Sequence, residues 1–264
     1  MNKKNISPLR YPGGKTRACK LLDIILNEHF DIGSFDNLIS PFFGGGSFEF
    51  YIQNKYHLNI LANDKFVPLY NFWKTCQSDK YKLAELLYPK VNMITKDEFV
   101  NIRKKIMDED DILEQSAMYF IINRCSFNGS TLSGGFSSEA SKKRFTISSI
   151  DRIKKLNLSN FKIFNIDFEE FINNKNSIMF LDPPYYLDKN SKLYGNEGDM
   201  HENFDHDKLY RCLSTKKNWM MTYNNCSYIK NLYKNFKIIE TSWTYSMNKS
   251  KKSSEIVIIS QNHI

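Results

Sequence analysis

The stretch Leu181-Asp182-Pro183-Pro184-Tyr185 constrains this chain more than any other. Ahead of it, Ser177-Ile178-Met179-Phe180-Leu181 is a short apolar run of the kind that forms a buried strand. Two consecutive prolines offer no N–H to a ladder and cannot enter a helix interior, so the chain must leave the sheet there. An Asp carboxylate and a Tyr ring are then presented at the carboxyl end of a strand, where open α/β sheets bind ligands. Proline fixes φ, so the carbonyl between the two rings is held rigidly. A carboxylate, a rigid carbonyl and an aromatic face together suit a flat, amino-substituted heterocycle. The two acceptors take the exocyclic N–H hydrogens, and the heterocycle stacks on Tyr185. A plain strand ending in a Pro-Pro turn with a surface Asp is the competing reading.

Two glycine loops precede that strand. Ser7 to Thr16 holds Arg10-Tyr11-Pro12-Gly13-Gly14-Lys15, a tight loop ahead of a helix expected over roughly 16–29. Its glycines let backbone amides approach a ligand, and Lys15 can offer an ammonium to a carboxylate there. The spacing is not that of a Walker loop. An ordinary glycine turn has the same composition. The second loop is Ser40-Pro41-Phe42-Phe43-Gly44-Gly45-Gly46-Ser47, between a short strand at Leu38-Ile39 and a helix from Ser47. Strand, glycine loop and helix make the first half of a nucleoside-binding βαβ unit. The next strand, Leu58 to Asn63, ends in Asp64, 18 residues beyond Gly46. An acidic residue at that position suits ribose hydroxyls; capping of the helix that starts near Val67 is the alternative.

Residues about 67–122 carry apolar residues at helical spacing, and Thr95-Lys96-Asp97-Glu98 is a capping box. From Asn123 the character changes. Asn123-Arg124-Cys125-Ser126-Phe127-Asn128-Gly129 through Phe136 is polar and glycine-rich, and Lys142-Lys143-Arg144 follows. A loop or hairpin with Arg, Lys, Asn and intercalation-sized Phe suits phosphates and base edges; a solvated loop is equally compatible. Phe161 to Phe168 is another strand, ending in Asp167-Phe168, a pair able to accept from an adenine amino group and pack its ring. The segment from Tyr186 to Asn203 is polar, Asp205–Leu213 is helical, and Asn218–Asn225 is a strand with a polar end. Phe236–Trp243 and Ser254–Ser260 form a closing hairpin, joined across a basic loop at Asn248–Lys252.

Lys and Arg total 37 against 29 Asp and Glu, a net charge of +8 that favours a polyanionic partner. Five scattered cysteines without CxxC spacing indicate reduced thiols, a cytoplasmic setting and no zinc site. No apolar run reaches the length of a membrane span.

With these motifs in this order, the sequence resembles the Dam-type, D12-class DNA adenine-N6 methyltransferases over nearly its whole length. The resemblance implies an α/β fold: a Rossmann-like, seven-stranded, mostly parallel sheet with one antiparallel strand. Residues 1–66 and 156–264 then form a domain binding S-adenosylmethionine, and 67–155 a mainly helical inserted target-recognition domain. It implies that Tyr11, Gly13, Lys15, Phe42, Gly44, Gly45, Gly46 and Ser47 line the cofactor. Asp64 then takes the ribose, with Asp167, Phe168 and Asp182 beside the bound molecule. Asp182, Pro183, Pro184 and Tyr185 form the catalytic tetrad around an adenine extruded from the duplex. Arg10, Arg124, Asn128, Lys142, Lys143 and Arg144 then face double-stranded DNA, and a separate cognate restriction endonuclease is a possible companion. No metal is implied. Two residues depart from the pattern: Ser40 stands where many members carry Glu or Asp, and Leu132 where GATC-specific members carry Arg, so the recognised sequence stays open. An RNA-adenine or cytosine-N4 methyltransferase, or a catalytically silent DNA-binding relative, are the alternatives.

Overall fold

The computed structural model describes residues 4–11, 13–172, 177–186, 204–244 and 252–260. Pro12, the polar segment 187–203, the basic loop up to Lys251 and the Asn128 side chain lie outside the described residues.

The expected sheet is present. Its strands are β1 (Asn37–Ser40), β2 (Asn59–Asn63), β3 (Phe161–Phe164), β4 (Ser177–Leu181), β5 (Trp219–Asn224), β6 (Lys237–Thr244) and β7 (Lys252–Ile259). They lie in the order β3-β2-β1-β4-β5-β7-β6. β1 to β5 run parallel, and β7 is antiparallel to both β5 and β6. After β1 the chain moves outward to β2; after β4 it moves the other way, to β5. The loops leaving β1 and β4 therefore diverge and open a crevice at their carboxyl ends, the position where such sheets bind ligands.

Both faces of the sheet are covered, which is why β4 is buried at every position. Successive residues alternate between two cores. Leu38, Ile178, Phe180, Met220 and Val257 pack in one, and Ile39, Met179, Leu181, Met221 and Ile256 in the other. The first core is covered by α1 (Cys19–His29) and α2 (Ser47–Tyr56), and continues into the helices between β2 and β3. These are α3 (Val67–Ser78), α4 (Lys80–Leu87), α5 (Lys96–Lys105), α6 (Ile112–Cys125), α7 (Ser138–Arg144) and α8 (Ile147–Lys155). The Thr95–Glu98 capping box starts α5 as the sequence indicates. α3 is tied to the first glycine-rich strand exit: the indole of Trp73 packs on Phe43 and Phe50, and its N–H donates to the Gly44 carbonyl at 3.0 Å. The second core is covered by α9 (Phe168–Phe171) and by the helices His206–Leu213 and Ser227–Leu232.

The stretch after α6 forms two short 3-10 turns, Phe127–Gly129 and Thr131–Ser133, closed by a single bridge between Ser126 and Phe136. It packs back on the amino-terminal segment. The Asn123 side chain bonds both backbone polar groups of Arg10, at 3.0 and 2.6 Å.

Candidate active site

The rigid exit from β4 sits in the crevice. Asp182 is the first residue past the strand, and two donor groups hold its carboxylate through three hydrogen bonds. The Lys15 ammonium lies 2.7 Å from both oxygens, and the Thr222 hydroxyl donates to Oδ1 at 2.6 Å. Lys15 is itself buried and also donates to the Gly13 carbonyl at 2.8 Å, so the first glycine loop delivers its charge to the tetrad across the crevice. Breaking an ion pair this buried costs about 3–5 kcal/mol, because the remaining charge is left without a partner. Each carboxylate oxygen has two lone-pair positions, so Oδ2 retains capacity for another donor.

Tyr185 follows the prolines. Its hydroxyl donates to Glu255 Oε2 at 2.5 Å, its ring lies 5.8 Å from that of Tyr223 at 30°, and Lys15 Nζ sits 5.2 Å from its centroid. The next carbonyl, of Tyr186, accepts from the Asn224 amide at 2.7 Å. Thr222, Asn224 and Glu255 therefore fix the tetrad from β5 and β7. Sequence reading missed all three, since a polar strand end carries no mark of what it will face.

The second glycine loop has its own architecture. Gly46 is in the left-handed region at φ +64°, and a Cβ there would lie 2.6 Å from the Phe43 ring. A Cβ on Gly44 would lie 2.9 Å from the Tyr11 ring, and one on Gly45 2.8 Å from Tyr11 Cβ. The absent side chains thus make room for Tyr11, which closes over the loop, while Ser47 accepts from the Thr16 hydroxyl at 3.1 Å. Asp64 braces the same loop: Oδ2 accepts from the Gly44 N–H at 2.9 Å and Oδ1 from that of Phe66 at 3.0 Å. Burial pushes its carboxyl up to about 6, against the lowering by those two N–H groups.

At Ser40, the position without the expected acid, the structure places one from elsewhere. The Ser40 hydroxyl donates to Glu49 Oε1 at 2.6 Å, and both residues are buried. Burial, reinforced by the nearby Asp182 charge, pushes the Glu49 carboxyl up to about 7 despite the Ser40 hydrogen bond and Lys15.

Beside the crevice, the Phe42, Phe168 and Phe204 rings pack at 5.5–5.6 Å. Asp167 caps α9 by accepting from the Glu169 N–H at 3.1 Å and pairs with Lys65 at 3.0 Å.

The residues expected at DNA divide. Arg124 is buried: its Nε donates to the Arg144 carbonyl at 2.7 Å and its Nη1 to that of Pro8 at 3.2 Å. Burial, with the charges of Arg152, Arg10 and Arg144 around it, pushes its guanidinium down to about 10. Arg152 was not singled out by sequence; helical spacing on α8 gave no sign that it would join this cluster. Lys142 and Lys143 are exposed at the end of α7, where Lys143 pairs with Glu139 at 2.9 Å. Phe127 is exposed, whereas Phe136 packs on Phe99 at 5.6 Å.

Among the described residues no helix is long and apolar enough to cross a membrane, and no group of three or more potential metal ligands occurs. The chain is similar to the Type II methyltransferase M.MjaIII of Methanocaldococcus jannaschii, with 25% identity over 87% of this chain and 88% of that protein. The family model of the D12 class N6 adenine-specific DNA methyltransferases matches residues 11–247, from the tyrosine over the glycine loop to beyond the last parallel strand. A crevice with a braced glycine loop on one side and a fixed Asp-Pro-Pro-Tyr exit on the other thus belongs to a D12-class DNA adenine methyltransferase, an enzyme that methylates adenine N6 site-specifically in DNA.

Proposed function

We propose that the crevice binds S-adenosylmethionine on the glycine-loop side and an extruded adenine on the Asp182–Tyr185 side, and that the chain methylates adenine within double-stranded DNA. The three hydrogen bonds that Lys15 and Thr222 make to Asp182 carry this reading, because they hold an acceptor carboxylate at the mouth of the crevice without occupying every lone pair. The residues suit the cofactor's chemistry. Lys15, whose three N–H groups stay on Gly13 and Asp182, adds positive charge for its carboxylate; Asp64 suits its ribose and the Phe42 and Phe168 rings its adenine, with Tyr11, Gly13 and Gly44 to Ser47 along the floor. Bound there, S-adenosylmethionine supplies a methyl group on a cationic sulfur that departs as a neutral thioether.

The chain's own part is to present N6. Asp182 and the Pro183 carbonyl accept the two N6 hydrogens, which turns the nitrogen lone pair out of conjugation with the ring. Pro184 keeps that carbonyl rigid, and Tyr185 offers the stacking face. Asp182 need not be a strong base, since the N6 proton leaves after the N–C bond forms. Residues 67–155 serve as the target-recognition unit. The Arg10, Arg124, Arg144 and Arg152 cluster, with Lys142 and Lys143, raises positive potential for phosphates; base contacts are assigned to exposed Phe127 and to Asn128. Such an enzyme works in the cytoplasm, and a cognate restriction endonuclease would act separately.

The test is incubation of unmethylated plasmid with the protein and S-adenosylmethionine, followed by sequencing that detects N6-methyladenine. Modified adenines in one short context are expected, with no modification by Asp182→Asn. Methylation of RNA or of cytosine instead, or an Asp182→Asn variant with unchanged turnover, overturns the assignment.

A further inference from the structure

The strand β7 carries a buried glutamate, Glu255, directly before the apolar run Ile256-Val257-Ile258-Ile259. A carboxylate in such a place is costly unless a specific donor compensates. Here the Tyr185 hydroxyl is a donor, at 2.5 Å. Across the antiparallel ladder Glu255 pairs with Asn224, so both side chains leave the sheet on one face. Asn224 holds the Tyr186 carbonyl at 2.7 Å, and Tyr223 lies beneath the Tyr185 ring. Tyr185 is therefore gripped at its hydroxyl, at one ring face and at the carbonyl that follows it. The ring plane is fixed before any base arrives, and Lys15 Nζ lies 5.2 Å from its centroid. Burial and the adjacent Asp182 and Glu255 charges hold the Tyr185 phenol well above its ordinary range, so it stays a donor.

We infer that Glu255 is a positioning residue for target-base capture, orienting the Tyr185 ring through its hydroxyl so that the extruded adenine meets a preset stacking plane. The inference rests on the reading in which Tyr185 stacks on the target. A tyrosine without this restraint turns about its ring axis and loses overlap with the base, although its aromatic surface is unchanged.

A double-mutant cycle tests it, using Tyr185→Phe, Glu255→Leu and the two combined, with Glu255→Gln as the variant that keeps an acceptor. The duplex carries 2-aminopurine, fluorescent on leaving the stack, at the adenine that sequencing identifies; kcat and KM are measured on the unsubstituted duplex. Tyr185→Phe and Glu255→Leu are each expected to lower kcat/KM about tenfold or more and to diminish the fluorescence change, with the double variant no worse than the poorer single one. Glu255→Gln is expected within about threefold of the wild type, and affinity for S-adenosylhomocysteine unchanged throughout. Losses that multiply in the double variant overturn the inference, as does a Tyr185→Phe variant that captures the base like the wild type. Should Glu255→Leu fail to fold, Tyr185→Phe against Glu255→Gln still decides. Absence of adenine methylation by the wild type would instead overturn the functional reading itself.

Discussion

Glu49 gives the sharpest quantitative prediction. Its carboxyl is raised from the ordinary 4.5 to about 7, chiefly because burial penalises the charged form. A folded-state value above the unfolded one means that the native state binds more protons in the interval between them. The associated stability is present below pH 4.5 and is lost as pH rises through about 7. A shift of this size corresponds to about 3 kcal/mol. Glu49→Gln keeps the shape and the acceptor for Ser40 but cannot ionise. Its melting temperature is expected to match the wild type near pH 4.5 and to exceed it by roughly 6–12 °C at pH 8, at about 2–4 °C per kcal/mol for a chain of this size. Calorimetric or circular-dichroism melts across that range measure the difference. Asp64, pushed up to about 6, contributes the same sign over a lower window, but it is common to both proteins and cancels. A gap that does not change with pH refutes the reasoning. A Glu49→Gln variant that is less stable at pH 8 would mean that attraction to Lys15 outweighs the burial of the charge.

Three other outcomes follow from single contacts. Thr222→Val removes the hydroxyl that donates to Asp182 at 2.6 Å; kcat is expected to fall about tenfold while cofactor affinity holds, read by single-turnover kinetics and calorimetry. Gly46→Ala forces an L side chain into φ +64° with its Cβ 2.6 Å from Phe43, so denaturant unfolding should show a loss of about 2–4 kcal/mol. With a net charge of +8, DNA affinity should drop steeply between low and moderate salt; replacing Lys142 and Lys143 by Ala should flatten the log–log slope by about 2. Flat wild-type binding would count against a phosphate-tracking surface.

What the sequence disclosed and what it withheld have distinct physical origins. β4 and its exit were legible because a two-face-buried strand is a continuous apolar run and two prolines must end it. The same holds for the capped α5 and for β6 and β7, whose signals are local. Arg124 shows the limit. An Arg in a polar, glycine-rich stretch suggests phosphate, yet the last turn of α6 carries it inward to the carbonyls of Pro8 and Arg144. Only the packing of the amino-terminal segment against that helix decides which face it takes. Thr222 and Glu255 lie 40 and 70 residues from the side chains they hold, and nothing local in either strand records the partner.

Ser40 carries the argument furthest. The family resemblance leads one to expect an acid before Pro41-Phe42, where this chain has Ser40. The fold restores one by geometry. Gly46 turns the chain through the left-handed region, α2 begins at Ser47, and the third residue of its first turn, Glu49, comes back over the end of β1 to meet the Ser40 hydroxyl. A carboxyl group thus reaches the Ser40 position from a residue nine places along the chain. An acid so placed is desolvated by the sheet on one side and the helix on the other, which is why its proton is held up to about pH 7. The titration of Glu49→Gln against the wild type therefore reads out, in one curve, whether this relocated carboxylate shares the field of Lys15 and Asp182.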